Sequence, residues 1–158
     1  MRKDPPPEEL IRDAAAFAAI VLESLSEGNS IRFTAEGASM RPFILNGDIL
    51  TVAPLEGRTP RRGDVVLYRQ PTGRLAAHRI LGISRESPDR QFAIRGDARP
   101  GACETIPLPA ILGRVIRRER PGPMSRLDGR YARLCGLLWA RAHPFSAVLL
   151  RLATWTKR

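Results

Sequence analysis

The chain contains almost no lysine and few histidines or cysteines. Lys3 and Lys157 are the only lysines among 26 basic side chains in 158 residues, which excludes any mechanism that needs a lysine inside the domain. Two cysteines, Cys103 and Cys135, are too few for a disulfide scaffold. No cysteine–histidine spacing fits a zinc site, so we expect neither a metal nor a cofactor.

Long apolar segments are lacking as well. The longest uninterrupted apolar run covers the nine residues 14–22, whereas a helix needs about 20 to span a bilayer. Acidic residues precede it, unlike the basic start of a secretory signal. We therefore expect no signal peptide or membrane span at the N-terminus and a cytoplasmic location.

The length and apolar content, 158 residues of which 43% are hydrophobic, predict one domain with one core. Of the net charge of +10, residues 117–158 carry +8. This favours an anionic partner, either a membrane surface or nucleic acid, although a basic face can also simply keep a protein soluble. With 6% aromatic residues and little chain before Ile31 for a helix-turn-helix, nucleic acid is the less expected partner.

The sequence divides into three parts. Residues 1–7, ending in three prolines, form a flexible leader. Residues 8–118 form a domain that opens with a packing helix over 8–26, ended by Gly28. Short β-prone runs cut by turns then predict a mainly β, antiparallel domain. The predicted strands are 31–34, 49–53, 64–69, 75–84, 91–95 and 112–117.

Residues 119–158 form a basic tail, in which apolar residues at helical spacing predict two amphipathic helices hinged near Pro144. Trp139, Trp155 and the arginines of 126–158 are typical of a helix in the interface of an anionic membrane. A helical pair covering a face of the sheet fits the same pattern equally well.

Few side chains are available as a catalytic base. His143 lies in the basic tail, where a structural role is the stronger interpretation. His78 lies in a strand-like run behind the small residues Ala76 and Ala77, where a peptide could approach the backbone. Ser39 follows the flexible Gly37 in a loop. Taken alone, a strand histidine is usually a satisfied polar group and a loop serine is usually noncatalytic.

The order of six short motifs gives these residues more weight. It resembles the type I signal peptidases and the related LexA-like self-cleaving repressors, the S24/S26 superfamily of serine peptidases, over residues 31–118. Each motif is weak alone, but six in order are specific. The motifs are Gly37-Ala38-Ser39-Met40-Arg41-Pro42, Gly47-Asp48, Gly63-Asp64-Val65-Val66, His78-Arg79, Gly96-Asp97-Ala98 and Gly113-Arg114-Val115.

The resemblance implies a serine endopeptidase of the histidine type, found in the endoplasmic reticulum and in archaea. Ser39 would attack the scissile carbonyl, and His78 would take its proton and return it to the leaving amine. Asp97 is the candidate for the carboxylate that orients His78. Glu104 is the alternative, because the histidine-type enzymes place an important aspartate several residues after this Gly-Asp pair.

The resemblance also implies how a substrate would bind. An extended peptide would pair with the strand edge at Ala76 and Ala77, and shallow pockets near Met40 would select small side chains. Where bacterial signal peptidases have an oxyanion-hole hydroxyl this chain has Gly37, so the backbone amide of Ser39 would carry that task. The basic tail would replace the family's N-terminal membrane anchor.

Other interpretations remain open. Asp48 and Asp64 each follow a glycine at the start of a β-rich run, which favours a turn or arginine-pairing role. The whole chain is alternatively a noncatalytic module of the same fold that contacts membrane or nucleic acid through its tail. A third hypothesis is a self-cleaving LexA-like protein.

Overall fold

Eight short strands and two helices make up the part of the chain that the structure, a computed structural model, describes: residues 7–84, 90–120 and 124–142. The helices are α1 (Pro7–Ser26) and α2 (Arg130–Arg141), and a 3₁₀ turn spans Leu108–Ala110. The strands are β1 (Ile31–Thr34), β2 (Ile49–Ala53), β3 (Val65–Arg69), β4 (Leu75–Ser84), β5 (Gln91–Arg95), β6 (Glu104–Pro107), β7 (Ile111–Glu119) and β8 (Ser125–Arg126).

All strand pairs are antiparallel, and the sheet has the order β1-β2-β7-β3-β4-β5-β6, with β8 on β7. The mainly β fold class predicted from the sequence is confirmed, and so are the six predicted strands, within one or two residues at their ends. The sequence missed β6, a four-residue strand ending in proline, and the two-residue β8. The boundary drawn after residue 118 falls inside β7, and β8 joins the tail to the sheet.

Apolar side chains pack on both faces of the sheet. On one face α1 contributes Val21 and Leu25 to a cluster that includes Val52, Leu67 and Val115. The other face carries a second cluster, which contains Val66, Tyr68, Ile80, Phe92, Ile94, Ile106 and Ile111. This division follows from strand alternation, because successive side chains of a strand point to opposite faces.

Gly113 lets strand β7 lie close to its neighbour β2 at a point where Leu25 of α1 packs on the sheet. A Cβ added at Gly113 of β7 would lie 2.7 Å from the carbonyl oxygen of Ala53 and 3.4 Å from a methyl of Leu25. Glycine is therefore the only residue that fits β7 at this point without displacing the neighbouring strand or helix.

The described residues include one of the two helices predicted for the basic tail. The first of its two helices is α2, whereas the second, together with His143, Pro144 and Trp155, lies outside the described residues, as do residues 1–6 of the leader. In the described residues, no helix has the length and apolar character needed to cross a membrane.

Candidate active site

Ser39 lies in a loop, residues 35–48, that is closed at its base and anchored in the core. The N–H of Ala35 donates to the carbonyl of Asp48 at 2.7 Å, and the N–H of Gly47 donates to the carbonyl of Ala35 at 2.8 Å. Met40 and Ile44 are buried in the cluster beneath α1. These contacts fix the loop at both sides of Ser39, which is itself half-buried.

The loop passes directly over Gly96, the residue after β5. A Cβ at Gly96 would lie 2.5 Å from the carbonyl oxygen of Ser39 and 3.2 Å from its Cβ. The same carbonyl accepts a hydrogen bond from the N–H of Ala98 at 2.9 Å. Because Gly96 has no side chain, the backbone of Ser39 can occupy this position against the sheet.

Gly96 directly follows the part of β5 that pairs with β4. The last residue pair of these two strands is Arg79 with Arg95, and His78 is the residue before Arg79. The backbone of Ser39 therefore contacts the chain immediately beyond the strand pairing beside which His78 lies. No hydrogen bond joins Ser39 to His78 among the described residues.

A tyrosine and a glutamate hold the imidazole of His78. The hydroxyl of Tyr68 in β3 lies 3.0 Å from Nδ1 of His78 and donates to Oε2 of Glu104 at 2.8 Å. All three side chains lie on one face, because Tyr68 pairs with Ala76, two residues before His78, and Glu104 pairs with Ile94.

The direction of these hydrogen bonds defines the tautomer of His78. An ionised carboxylate only accepts, so the single proton of the Tyr68 hydroxyl goes to Glu104. The Tyr68 oxygen is then left to accept, and Nδ1 of His78 must donate to it. Nε2 consequently carries the free lone pair that a general base needs.

Nε2 is also accessible. His78 is 7% exposed, and Nε2 has no hydrogen-bond partner among the described residues. The described residues contain one fully buried side-chain nitrogen or oxygen atom without a partner, Nε of Arg118. Nε2 of His78 is therefore not fully buried. Solvent therefore reaches the nitrogen that would take the proton.

The electrostatics of this group favour a neutral histidine and a protonated tyrosine. Burial lowers the pKa of His78, and the positive charge of Arg99 lowers it further, against the opposing effect of Glu104. Burial and the bond to Glu104 raise the pKa of Tyr68 well above its usual value. At neutral pH His78 is thus an unprotonated base and Tyr68 keeps its proton.

Asp97 has a different partner. Its two carboxylate oxygens accept from Nε and Nη2 of Arg79 at 2.8 and 2.7 Å, and both side chains are almost completely buried. Burial raises the pKa of Asp97, whereas Arg79 opposes this shift. His78 and Arg79 are successive residues of β4, so their side chains point to opposite faces of the sheet, and Asp97 lies with Arg79 on the face opposite to His78.

Of the two carboxylates considered from the sequence, Glu104 is therefore the one connected to His78, and the connection runs through the Tyr68 hydroxyl. The sequence analysis missed Tyr68. The turn at residues 71–73 is the sequence signal that could have identified Tyr68. A hairpin centred on this turn pairs position 68 with position 76 and brings a tyrosine beside His78.

The predicted peptide-binding edge lies in the first half of β4. β5 ends at Arg95, so residues 75–78 pair with β3 alone in the described part of the chain. The N–H of Gln70 donates to the carbonyl of Arg74. Because hydrogen-bond direction alternates along a strand, Ala76 faces β3, whereas Leu75 and Ala77 direct their N–H and C=O groups to the open edge.

The three predicted substrate-binding residues, Ala76, Ala77 and Met40, differ in which of their groups a peptide could contact. Ala77 presents backbone groups at the open edge, and Leu75, which the sequence analysis did not select, does the same. Ala76 packs against the cluster around Tyr68. Met40 is 5% exposed, so its side chain forms the floor beneath the loop.

The backbone amide of Ser39 is a candidate oxyanion donor. The backbone N–H of Ser39 has no hydrogen-bond partner in the described residues, whereas the N–H of Gly37 is bound by Oδ1 of Asn46 at 2.9 Å. Gly37 adopts a φ of +90°, which favours glycine. This turn leaves the Ser39 amide free to donate to an oxyanion.

Helix α2 packs against the buried Arg79–Asp97 pair. The indole N–H of Trp139 donates to the carbonyl of Asp97 at 2.9 Å. The guanidinium of Arg79 fills the space that a Cβ of Gly136 would occupy, and it stacks on the Phe43 ring at 5.0 Å. The first tail helix is thus connected to the strand that carries His78.

The remaining predicted polar residues have structural partners. Asp48 forms a two-pronged ion pair with Arg120, and Asp64 contacts Arg133 and Arg114, which confirms their predicted arginine pairing. Within 7–84, 90–120 and 124–142, no group of three or more histidine, cysteine or acidic side chains is arranged to hold a metal ion.

Comparison with known proteins adds no relative. No protein-family model matches the chain, and no curated protein matches its sequence.

Proposed function

We propose that this chain is a serine endopeptidase that cuts an extended peptide, with Ser39 as nucleophile and His78 as general base. The observation that carries the proposal is the hydrogen-bonded series from Glu104 through Tyr68 to Nδ1 of His78. It leaves Nε2 of His78 without a hydrogen-bond partner among the described residues, and Ser39 contacts Gly96, the residue after the strand that pairs with β4. A buried polar series that fixes one tautomer is what a serine hydroxyl needs to become a nucleophile.

The reaction follows from these positions. Nε2 of His78 takes the proton of Ser39 Oγ while Oγ bonds to the scissile carbonyl carbon, and the resulting oxyanion accepts from the Ser39 N–H. His78 returns the proton to the amine as the C–N bond breaks, leaving a Ser39 ester. A water molecule then attacks this ester and gives its proton to His78, which restores it to Ser39.

The substrate is a peptide that adds a strand to β4. The backbone groups of Leu75 and Ala77 provide hydrogen bonds that do not depend on the substrate's sequence. The scissile bond of such a peptide would then lie near His78, the residue that follows Ala77 in β4. The resemblance of the six ordered motifs to signal peptidases supports a leader or signal segment as the part removed.

The setting of the reaction belongs to the same proposal. We infer a cytoplasmic enzyme that meets its substrates at an anionic membrane. Tyr131, Leu134 and Leu138 lie on one face of α2 and are 85%, 54% and 60% exposed, and the same helix carries Arg130 and Arg141. An exposed apolar stripe flanked by arginines favours contact with anionic lipid headgroups. Sedimentation with phosphatidylglycerol vesicles, compared with a Leu134→Glu variant, tests this contact.

The experiment that tests the proposed function is mass-spectrometric analysis of a mixed peptide library incubated with purified protein. Wild type, Ser39→Ala and the exposed-serine control Ser30→Ala are compared, each with and without phosphatidylglycerol vesicles. We expect the same cleavage products from wild type and Ser30→Ala and none from Ser39→Ala. Products that persist in Ser39→Ala would overturn the proposal.

The same experiment separates the two other hypotheses. A self-cleaving protein would give a shortened chain in the intact mass spectrum, increasing with time and absent in Ser39→Ala. A noncatalytic module would give no product under any condition while still binding vesicles or DNA. Steep salt dependence of DNA affinity that survives Ser39→Ala would identify the nucleic-acid form of that module.

A further inference from the structure

A second concave site lies away from Ser39 and His78. It is a cavity of about 640 Å³ between the 58–62 loop, the end of β4 at Ile83, β7 at Arg114 and the start of α2. Ile83 is five residues beyond His78 along β4, which corresponds to about 16 Å at the rise of a β-strand. We call this cavity the basic pocket.

Arginine dominates the lining of the basic pocket. Among the residues that the structure describes, six arginines and one carboxylate, Asp128, line it. Even with the buried Asp64 behind two of the arginines, the positive charges of these described residues exceed the negative charges by four. The six are Arg58, Arg61, Arg62, Arg90, Arg114 and Arg133.

Three of the six arginines differ from the others in their partners among the described residues. Arg58, Arg61 and Arg62 are exposed and form no ion pair with any described residue. Arg114 and Arg133, in contrast, lie 3.9 and 3.5 Å from the carboxylate oxygens of Asp64. Like charges in one cavity repel each other. A bound anion would reduce the electrostatic repulsion among these arginines.

The start of α2 adds to the positive potential. Asp128 and Arg133, on either side of the first residue of this twelve-residue helix, both line the pocket. No side chain caps the helix at Gly129, and its first turn contains no acidic residue. Helix α2 therefore begins beside the cavity, and the positive end of its dipole adds to the potential of the guanidinium groups.

We propose that the basic pocket binds the polyphosphate part of a soluble ligand, such as inorganic polyphosphate or the triphosphate of a nucleotide. Four excess positive charges in one small cavity match the three to four negative charges of a triphosphate. Guanidinium groups bind phosphate oxygens in pairs of parallel hydrogen bonds. A phosphodiester headgroup, with its single charge, would neutralise the pocket poorly.

The lining also indicates which part of a nucleotide would be recognised. Pro60 and Ile83 are its apolar members, and the described lining contains no aromatic ring on which a base could stack. The pocket would consequently distinguish ligands by their number of phosphates and hardly at all by their base.

Isothermal titration of the full chain with sodium tripolyphosphate, at constant ionic strength, tests this proposal. The variant Arg58→Gln/Arg61→Gln/Arg62→Gln removes three lining charges. The matched control, Arg69→Gln/Arg74→Gln/Arg117→Gln, removes three exposed arginines outside the pocket. We expect one saturable site that the first variant weakens about tenfold or more and the control less than about threefold.

Three further titrants identify the ligand chemistry. ATP and GTP should bind with similar affinity to tripolyphosphate, and a hexaglutamate peptide should bind much more weakly. Ser39→Ala should bind as the wild type does, because the pocket is separate from the proposed peptidase site. No saturable binding, equal weakening in both triple variants, or equal affinity for hexaglutamate would overturn the proposal.

Discussion

The hydroxyl of Tyr68 lies 3.0 Å from Nδ1 of His78, so a tyrosine occupies the place beside the imidazole where a serine-peptidase triad has a carboxylate. Glu104 is the next member, 2.8 Å beyond the hydroxyl. The negative charge is thus one residue further from His78, and the tyrosine determines the tautomer.

Replacing Tyr68 by phenylalanine tests this arrangement. The aromatic ring is retained, but Nδ1 of His78 loses its hydrogen-bond acceptor. The tautomer with the proton on Nε2, which cannot act as the base at that nitrogen, then becomes available. We expect kcat to fall by about tenfold or more, with KM little changed, because the lost interaction acts on the base. Steady-state kinetics on a library-derived peptide measure this, with the 85% exposed Tyr131→Phe as control. An unchanged kcat in Tyr68→Phe would argue against the series.

Replacing Glu104 by glutamine separates charge from hydrogen bonding. The amide oxygen can still accept from Tyr68, so the orientation of His78 is kept while the negative charge is lost. We therefore expect a smaller loss of kcat for Glu104→Gln than for Tyr68→Phe, measured on the same peptide. The reverse order would mean that Glu104 acts independently of Tyr68.

The pH dependence of the reaction follows from the lowered pKa of His78. The neutral imidazole is the active form, so kcat/KM is fully present above this pKa and is lost as the pH falls through it. Burial and Arg99 keep the pKa below the usual 6.5. The acidic limb of the profile should therefore have its midpoint below pH 6.5.

Removing the charge of Arg99 should move that midpoint to higher pH, because the positive charge disfavours protonation of His78. Arg99 is exposed, so the difference between Arg99→Gln and wild type should shrink at high salt. A shift to lower pH in Arg99→Gln would contradict the assignment of His78 as the base.

Gly96 should be required for activity because of its contact with Ser39. A Cβ there would meet the Ser39 carbonyl oxygen, a backbone atom, at 2.5 Å, so Gly96→Ala must displace the 35–48 loop. We expect kcat/KM to fall by about 100-fold, since a small misplacement of a reacting group has this cost. Gly129→Ala is the control, because its Cβ would meet nothing within 4 Å. Full activity of Gly96→Ala would exclude the proposed position of Ser39.

Asp97 should matter for folding, because its carboxylate neutralises the buried guanidinium of Arg79. Asp97→Asn leaves that charge unpaired, which should lower the free energy of unfolding by about 3–5 kcal/mol. Asp128→Asn, which removes the partner of the largely exposed Arg126, should cost less than about 1 kcal/mol. Urea unfolding measures both. Equal stability of Asp97→Asn and wild type would show that the ion pair contributes little.

Much of the fold was predictable, because the strands alternate with strong turn signals. Runs such as 75–84 and 91–95 are bounded by glycine, proline or charged residues, and local sequence determines where they begin and end. β6 was not predictable, because Glu104–Pro107 has little apolar content and becomes a strand by pairing with β5. Its position in the sheet then brings Glu104 to Tyr68.

The candidate site was predictable in part. The motifs identified Ser39, His78 and the two carboxylates, but the partners of those carboxylates depend on which face of the sheet each side chain occupies. His78 and Arg79 are adjacent in β4 and project to opposite faces, and Asp97 pairs with Arg79. The distinction between an orienting carboxylate and a buried ion pair with Arg79 thus depends on strand register, which the motifs do not contain.

The most direct test of the central claim is the ratio of kcat/KM for wild type and Ser39→Ala on one peptide that the library identifies as a substrate. Circular dichroism and urea unfolding establish that the variant is folded. The account predicts a loss of about 1,000-fold or more for Ser39→Ala and none for Ser30→Ala. A folded Ser39→Ala variant that cleaves the peptide at the wild-type rate would contradict it.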